Sequence, residues 1–138
     1  MDNSKKIFFI LSGILVLFFA CNVPLKKTVI LNMDFSDHEY TNWIITENDI
    51  VMADKILYDY LKDARPVLFS DQNKYFRQCW GLKNKDKQEI VCYNCFCKEM
   101  PDWKKDLIVS SGGGDCFWSA KVNLATKECC DFSVNGPK

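Results

Sequence analysis

The 138-residue chain carries 18 basic and 18 acidic side chains, one histidine and eight cysteines. Balanced charge leaves no field to draw in nucleic acid, and plentiful apolar and aromatic residues exclude a largely disordered chain. The length suits one domain with its own core, and the cysteine content is far above that of a metal-free cytosolic protein.

In chain order, Lys5 and Lys6 precede an uncharged, largely apolar run over residues 7–20, followed by Cys21. The run is shorter than the ~20 residues a hydrocarbon core demands, so the pattern predicts a cleaved export signal rather than a retained span. Ala20 is the small residue expected before the cut, and Cys21 would supply the thiol that is acylated and becomes the mature N-terminus. Phe18 and Phe19 depart from the Leu and small residue usual in such a signal, and an ordinary secretory signal is the alternative. The expected organisation is a bacterial lipoprotein signal at 1–20, a lipidated cysteine, tether and first strand at 21–45, and one domain at 46–138. The lipid would be the link to a membrane of the cell envelope, with the domain facing the periplasm or the cell surface.

Residues 22–45 have mixed character, with an apolar stretch at 28–31 suited to an added strand. From Thr46 the pattern changes: Ile50, Ala53, Leu57, Tyr60, Leu61 and Ala64 recur at helical steps, while Asp49, Asp54, Lys55, Asp59 and Lys62 fall elsewhere. This predicts one amphipathic helix, opened by a capping box of Thr46 with Asp49 and closed by Pro66.

Beyond Pro66 the period shortens to two. Residues 75–82 and 89–97 read as the arms of a β-hairpin around the polar turn 83–87. Residues 107–110 continue extended to Gly112, Gly113 and Gly114, which can take positive φ and reverse the chain. Residues 116–124 and 128–134 then flank a second polar turn at 125–127. On the first of these strands Cys116, Trp118, Ala120, Val122 and Leu124 alternate with Ser119, Lys121 and Asn123, so one face is covered and the other wet. The fold class is α+β: one long amphipathic helix across a four-stranded antiparallel meander, five-stranded if 28–31 adds an edge.

The strings Tyr75-Phe76-Arg77-Gln78-Cys79-Trp80-Gly81, Asn94-Cys95-Phe96-Cys97, Trp103-Lys104-Lys105, Gly113-Gly114-Asp115-Cys116-Phe117, Lys121-Val122-Asn123-Leu124 and Val134-Asn135-Gly136 resemble a set of small bacterial lipoproteins with a cystatin-like domain. The resemblance spans about residues 46–136 and implies a helix-plus-sheet fold and a lipid-anchored address, with no activity attached. The chain departs from that pattern at Cys79, Cys129 and Cys130, where aromatics are more usual, which implies an extra bridge or a locally altered core.

If Cys21 is acylated, seven cysteines remain as disulfide candidates: Cys79, Cys92, Cys95, Cys97, Cys116, Cys129 and Cys130. An odd number leaves one thiol free or joined to a second molecule. Cys92-x-x-Cys95-x-Cys97 has some likeness to a zinc half-site, but on a strand Cys92 points to one face and Cys95 and Cys97 to the other, no second such motif follows, and His38 is the lone histidine. No metal or cofactor is expected. Cys95 or Cys97 should lie near Cys116, and Cys79 faces Cys92 if the first turn centres on Lys85 and Asp86.

Neither Cys92 with Cys95 nor Cys129 with Cys130 is predicted at a helix N-terminus, where a dipole would activate a thiolate, and no hydrolase or phosphate-loop motif is present. Catalysis is not expected; Glu128 and Asp131 read as solvated strand charges, and a dyad built on His38 has no support. Cystatin analogy suggests a peptidase inhibitor as an alternative, ahead of a metal-binding or thiol-redox protein, but Gln88-Glu89-Ile90-Val91-Cys92 does not match the Q-x-V-x-G loop of that class. The leading expectation is a tethered binding or structural module, with an unidentified protein or small molecule as partner. Trp80, Tyr93, Trp103 and Phe117 are its candidate contact aromatics.

Overall fold

The computed structural model describes residues 27–137, so the export signal and Cys21 lie outside the described residues. Two short strands come first, β1 (Thr28–Ile30) and β2 (Thr41–Trp43), followed by helix α1 (Glu47–Ala64) and a one-turn-plus helix α2 (Pro66–Ser70). Four longer strands complete the chain: β3 (Phe76–Lys83), β4 (Glu89–Phe96), β5 (Phe117–Asn123) and β6 (Glu128–Val134). Among the described residues no helix is long and apolar enough to cross a membrane.

Helix α1 starts as its sequence requires. The Thr46 side chain accepts from the Asp49 backbone N–H, and the Asp49 carboxylate accepts from the Thr46 N–H at 2.7 Å, closing both halves of the capping box. Ile50, Ala53, Leu57 and Leu61 form the buried stripe. Pro66 closes α1 and also opens α2, since a residue without an N–H and with fixed φ suits a first helical turn. That second helix was not anticipated by the hydrophobic period, which a five-residue element is too short to display.

The sheet runs β1-β3-β4-β5-β6, with β2 also paired to β3. It therefore has six strands rather than four or five. One pairing is not antiparallel: β1 runs parallel to the first half of β3, opposite Arg77 to Cys79, while β2 lies antiparallel to the second half, opposite Gly81 to Lys83. Gly81 makes the handover to the helix feasible. A Cβ there would fall 2.3 Å from the Trp43 carbonyl oxygen and 2.4 Å from Ile45 Cγ2, because the chain leaving β2 crosses over this residue on its way to α1.

The β3–β4 register pairs Lys83 with Glu89, so the hairpin centres on Asp86, with Lys87 in the left-handed region at φ 62. This half-residue shift overturns the expected Cys79–Cys92 bridge. Cys79 stands opposite Tyr93, and Cys92 opposite Trp80, which puts the two thiols on opposite faces. Along β6 a bulge between Cys130 and Ser133, with Asp131 at φ 51, absorbs one extra residue. Its effect is to return Phe132 and Val134 to the helix side, where Phe132 meets Tyr60 and Trp118.

The main core lies between α1 and one sheet face, with Leu57, Leu61, Cys79, Val91, Tyr93, Cys95, Trp118 and Val122 at its centre. A buried ion pair crosses it. Arg77 donates to both carboxylate oxygens of Asp54, at 2.7 and 3.2 Å, and to the hydroxyls of Tyr58 and Thr28. Asp54, read from the period as an outward residue, in fact faces the sheet.

The opposite sheet face, expected to be wet, carries two covers. Residues 32–40 fold over one end, where Phe35 stacks on Trp80 with ring centroids 4.5 Å apart. Residues 97–116 fold over the other, where Trp103 packs edge-on against Phe76 and Phe96. Residues 107–110, read as extended, pair with no strand of the sheet.

Candidate functional site

The cover made by residues 97–116 is held by one side chain above others. Gln78 is fully buried, and its Nε2 donates to the carbonyls of Trp103 and Asp106 at 2.6 and 2.7 Å. Its Oε1 accepts from Ile108 N–H and from Asn94 Nδ2, each at 2.9 Å. All four valences of the carboxamide are thus engaged, which is what a buried amide requires. The cover is also tied at its ends by a disulfide between Cys97 and Cys116, with Cα atoms 4.9 Å apart. Of the two partners considered for Cys116, Cys97 makes the bond, because the register sets Cys95 opposite Trp118 and brings Cys97 to Cys116, whose carbonyl accepts from the Cys97 N–H.

Between this cover and the sheet lies a groove of about 200 Å³. Asn94 and Ser119 form its floor from the adjacent strands β4 and β5; Trp80, Ile108, Phe117 and Asn135 line its sides. None of its lining side chains is charged.

Two carboxamides are held in fixed orientation here. Asn94 Nδ2 donates to Gln78 Oε1 and to the Ile108 carbonyl at 2.8 Å, and Asn135 Nδ2 donates to the carbonyls of Ser110 and Gly112 at 2.7 and 3.0 Å. With both N–H groups of each amide committed, each Oδ1 is turned away from its partners, and among the described residues neither accepts a hydrogen bond. Gly112, Gly113 and Gly114 all adopt positive φ, as their sequence suggests, and Gly113 lies so close on the Phe117 ring that a Cβ would come within 2.6 Å of it.

Of the aromatics singled out from sequence, Phe117 and Trp80 reach this groove. Tyr93 and Trp103 do not serve as exposed contacts: they are 1% and 4% accessible. Tyr93 lies under the helix, its hydroxyl donating to Asp54, and Trp103 is the wedge that seats the cover on Phe76 and Phe96. Alternation on a strand tells which residues share a face but not which face a distant loop will hide. The residues missed by sequence reasoning are Gln78, Asn94 and Asn135. For Gln78 and Asn94 the signal was present as two amides at facing positions of paired strands.

The cysteines separate into three environments. Among the described residues Cys79, Cys92, Cys95, Cys129 and Cys130 are free thiols beside the one disulfide, so five of the seven bridge candidates are unbridged there. Burial pushes the thiols of Cys79 and Cys92 up to about 12 and that of Cys95 well above its usual value, which keeps them protonated and unreactive. Cys129 and Cys130, adjacent on β6, point to opposite sides, and Cys130 is exposed. Among the described residues no three His, Cys, Asp or Glu side chains converge as metal ligands would. His38 is exposed, with the Glu39 carboxylate at 3.8 Å.

A second depression, beside residues 99–105, is wider and more open but is built from one loop carrying charges of both signs. It lacks the converging, oriented polar atoms of the groove. No family model, curated protein or solved structure matches this chain, so the reading of its function rests on the groove's own chemistry.

Proposed function

We propose that this chain is an exported, lipid-anchored binding module of a bacterial cell envelope, without catalysis of its own, and that the groove over β4 and β5 is its ligand site. The observation that carries the proposal is the pair of oriented, unengaged amide oxygens of Asn94 and Asn135 in a neutral recess. A surface that serves only packing has no need of acceptors locked in one orientation and left open. The anchor is supported by Lys5 and Lys6, the apolar run and Cys21, and by the Cys97–Cys116 bond, since disulfides persist in oxidising compartments.

Support for a cystatin-like assignment comes from the element order. A strand before the helix, β2, pairs antiparallel with the first strand after it, and a four-stranded meander follows. The inhibitor alternative gains no observation. It needs the N-terminal segment beside the two hairpin tips, whereas Lys27 contacts the Phe76 ring and the Asn73 carbonyl, at the opposite end of the sheet.

Two measurements test the proposal. The intact mass of protein from its native membrane fraction should start at Cys21 and include acyl chains; an unprocessed, lipid-free mass overturns the address. Saturation-transfer NMR with a library of uncharged fragments should give hits that Ser119→Leu, which fills the groove floor, abolishes. Hits indifferent to Ser119→Leu overturn the groove as ligand site.

A further inference from the structure

The groove's chemistry narrows the ligand. We infer that it takes one ring of a neutral saccharide, an inference that rests on the reading of the groove as the ligand site. No lining side chain is charged, so an anion or cation entering it would lose hydration without gaining a counter-charge, which is strongly unfavourable. Two fixed polar atoms are acceptors, Asn94 Oδ1 and Asn135 Oδ1; Trp118, also in the lining, carries a buried indole N–H without a partner among the described residues, and the Ser110 and Ser119 hydroxyls can turn to complement either partner. A ligand that satisfies them must be rich in donors; a lipid chain is not.

The walls require apolar surface as well. Trp80 is braced from behind by Phe35, stacked at 17° between ring planes, so its indole is preset before any ligand arrives. Sugar rings combine an apolar C–H face with a rim of hydroxyl donors, matching an aromatic wall beside amide oxygens. An extended peptide fits less well. Strands β4 and β5, which form the floor, are each paired on both sides, and a peptide laid there would find no open ladder for its backbone. Size agrees: about 200 Å³ is below the ~300–1,000 Å³ of pockets for drug-sized ligands and suits a single ring.

The test uses the full mature protein in a nonionic detergent free of sugar. Saturation transfer is measured to cellobiose, N,N′-diacetylchitobiose, digalacturonic acid and an uncharged capped tetrapeptide. Transfer to one ring of a neutral disaccharide is expected, at millimolar affinity, with the acid silent. Comparing the two neutral probes tells a plain hexose from an N-acetylated amino sugar. Ser119→Leu should weaken binding at least tenfold, and Ser110→Phe, placed on the rim, gives the same reading should the first variant fail to fold. Val51→Ser, on an exposed residue of α1 across the sheet from the groove, should leave binding unchanged. Transfer to the tetrapeptide but to neither neutral sugar overturns the ligand class and leaves the groove a binding site. Silence of every probe in protein that melts cooperatively overturns both, and sugar binding unaffected by either groove variant overturns the site.

Discussion

Arg77 and Asp54 show how a charged pair is kept between a helix and a sheet. Burial works against the Arg77 charge, and the facing carboxylate overrides it and holds the guanidinium protonated, with the Tyr58, Thr28 and Tyr93 hydroxyls completing the network. Removing one partner strands the other. Asp54→Ala should cost about 3–5 kcal/mol, read from the denaturant midpoint, whereas Asp54→Leu combined with Arg77→Met should recover much of the loss. Equal losses for the single and double variants would show that the tyrosine hydroxyls, not the ion pair, dominate. Gly81 depends on space rather than charge. Gly81→Ala forces a methyl against the Trp43 carbonyl and Ile45, and should destabilise by about 1–3 kcal/mol; an unchanged melting temperature would mean that β2 yields freely.

Among the elements, the long cover from Cys97 to Cys116 is the one whose order is least explained by secondary structure. It has no strand of its own, and it is seated by Trp103 and by the Gln78 and Asn94 amides and closed by a disulfide across 19 residues of sequence separation. Replacing both cysteines by serine should lower stability by about 3 kcal/mol through the added freedom of the unfolded chain. Amide hydrogen exchange should then show faster opening at Ile108, the backbone N–H held by Gln78, while β4 and β5 remain protected. Uniform acceleration across the sheet would mean that the cover and the core unfold together.

For the molecule as a whole, the thiols set a limit at alkaline pH. Cys79 and Cys92 have an ordinary value of 9.0 and are pushed up to about 12 by burial, with Cys95 and Tyr93 displaced in the same direction. The unfolded chain therefore releases protons above about pH 9 that the folded protein keeps until about pH 12. Stability is fully present below the unfolded value and falls as pH rises through this window, by about 1.4 kcal/mol per pH unit for each such thiol. Guanidinium midpoints should drop between pH 8 and pH 10, and Cys79→Ala should flatten that drop. A midpoint independent of pH would mean that the thiols ionise in place.

The local features were legible because they obey short-range rules. Thr46 and Asp49 announce a helix start within four residues; Ile50, Ala53, Leu57 and Leu61 define a face by their spacing; three adjacent glycines take the positive φ that other residues avoid. From these alone the α+β class follows, with α1 and the four main strands in their places. Tertiary structure decided what no local rule contains. A half-residue change in the first hairpin sent Cys79 and Cys92 to opposite faces, and the parallel pairing of β1 depends on residues nearly fifty positions away in sequence. The fate of the second sheet face was set by two aperiodic loops. They buried Trp103 and set Asn94 and Asn135 along a groove, because a half-buried amide orients itself by the partners that distant backbone brings to it.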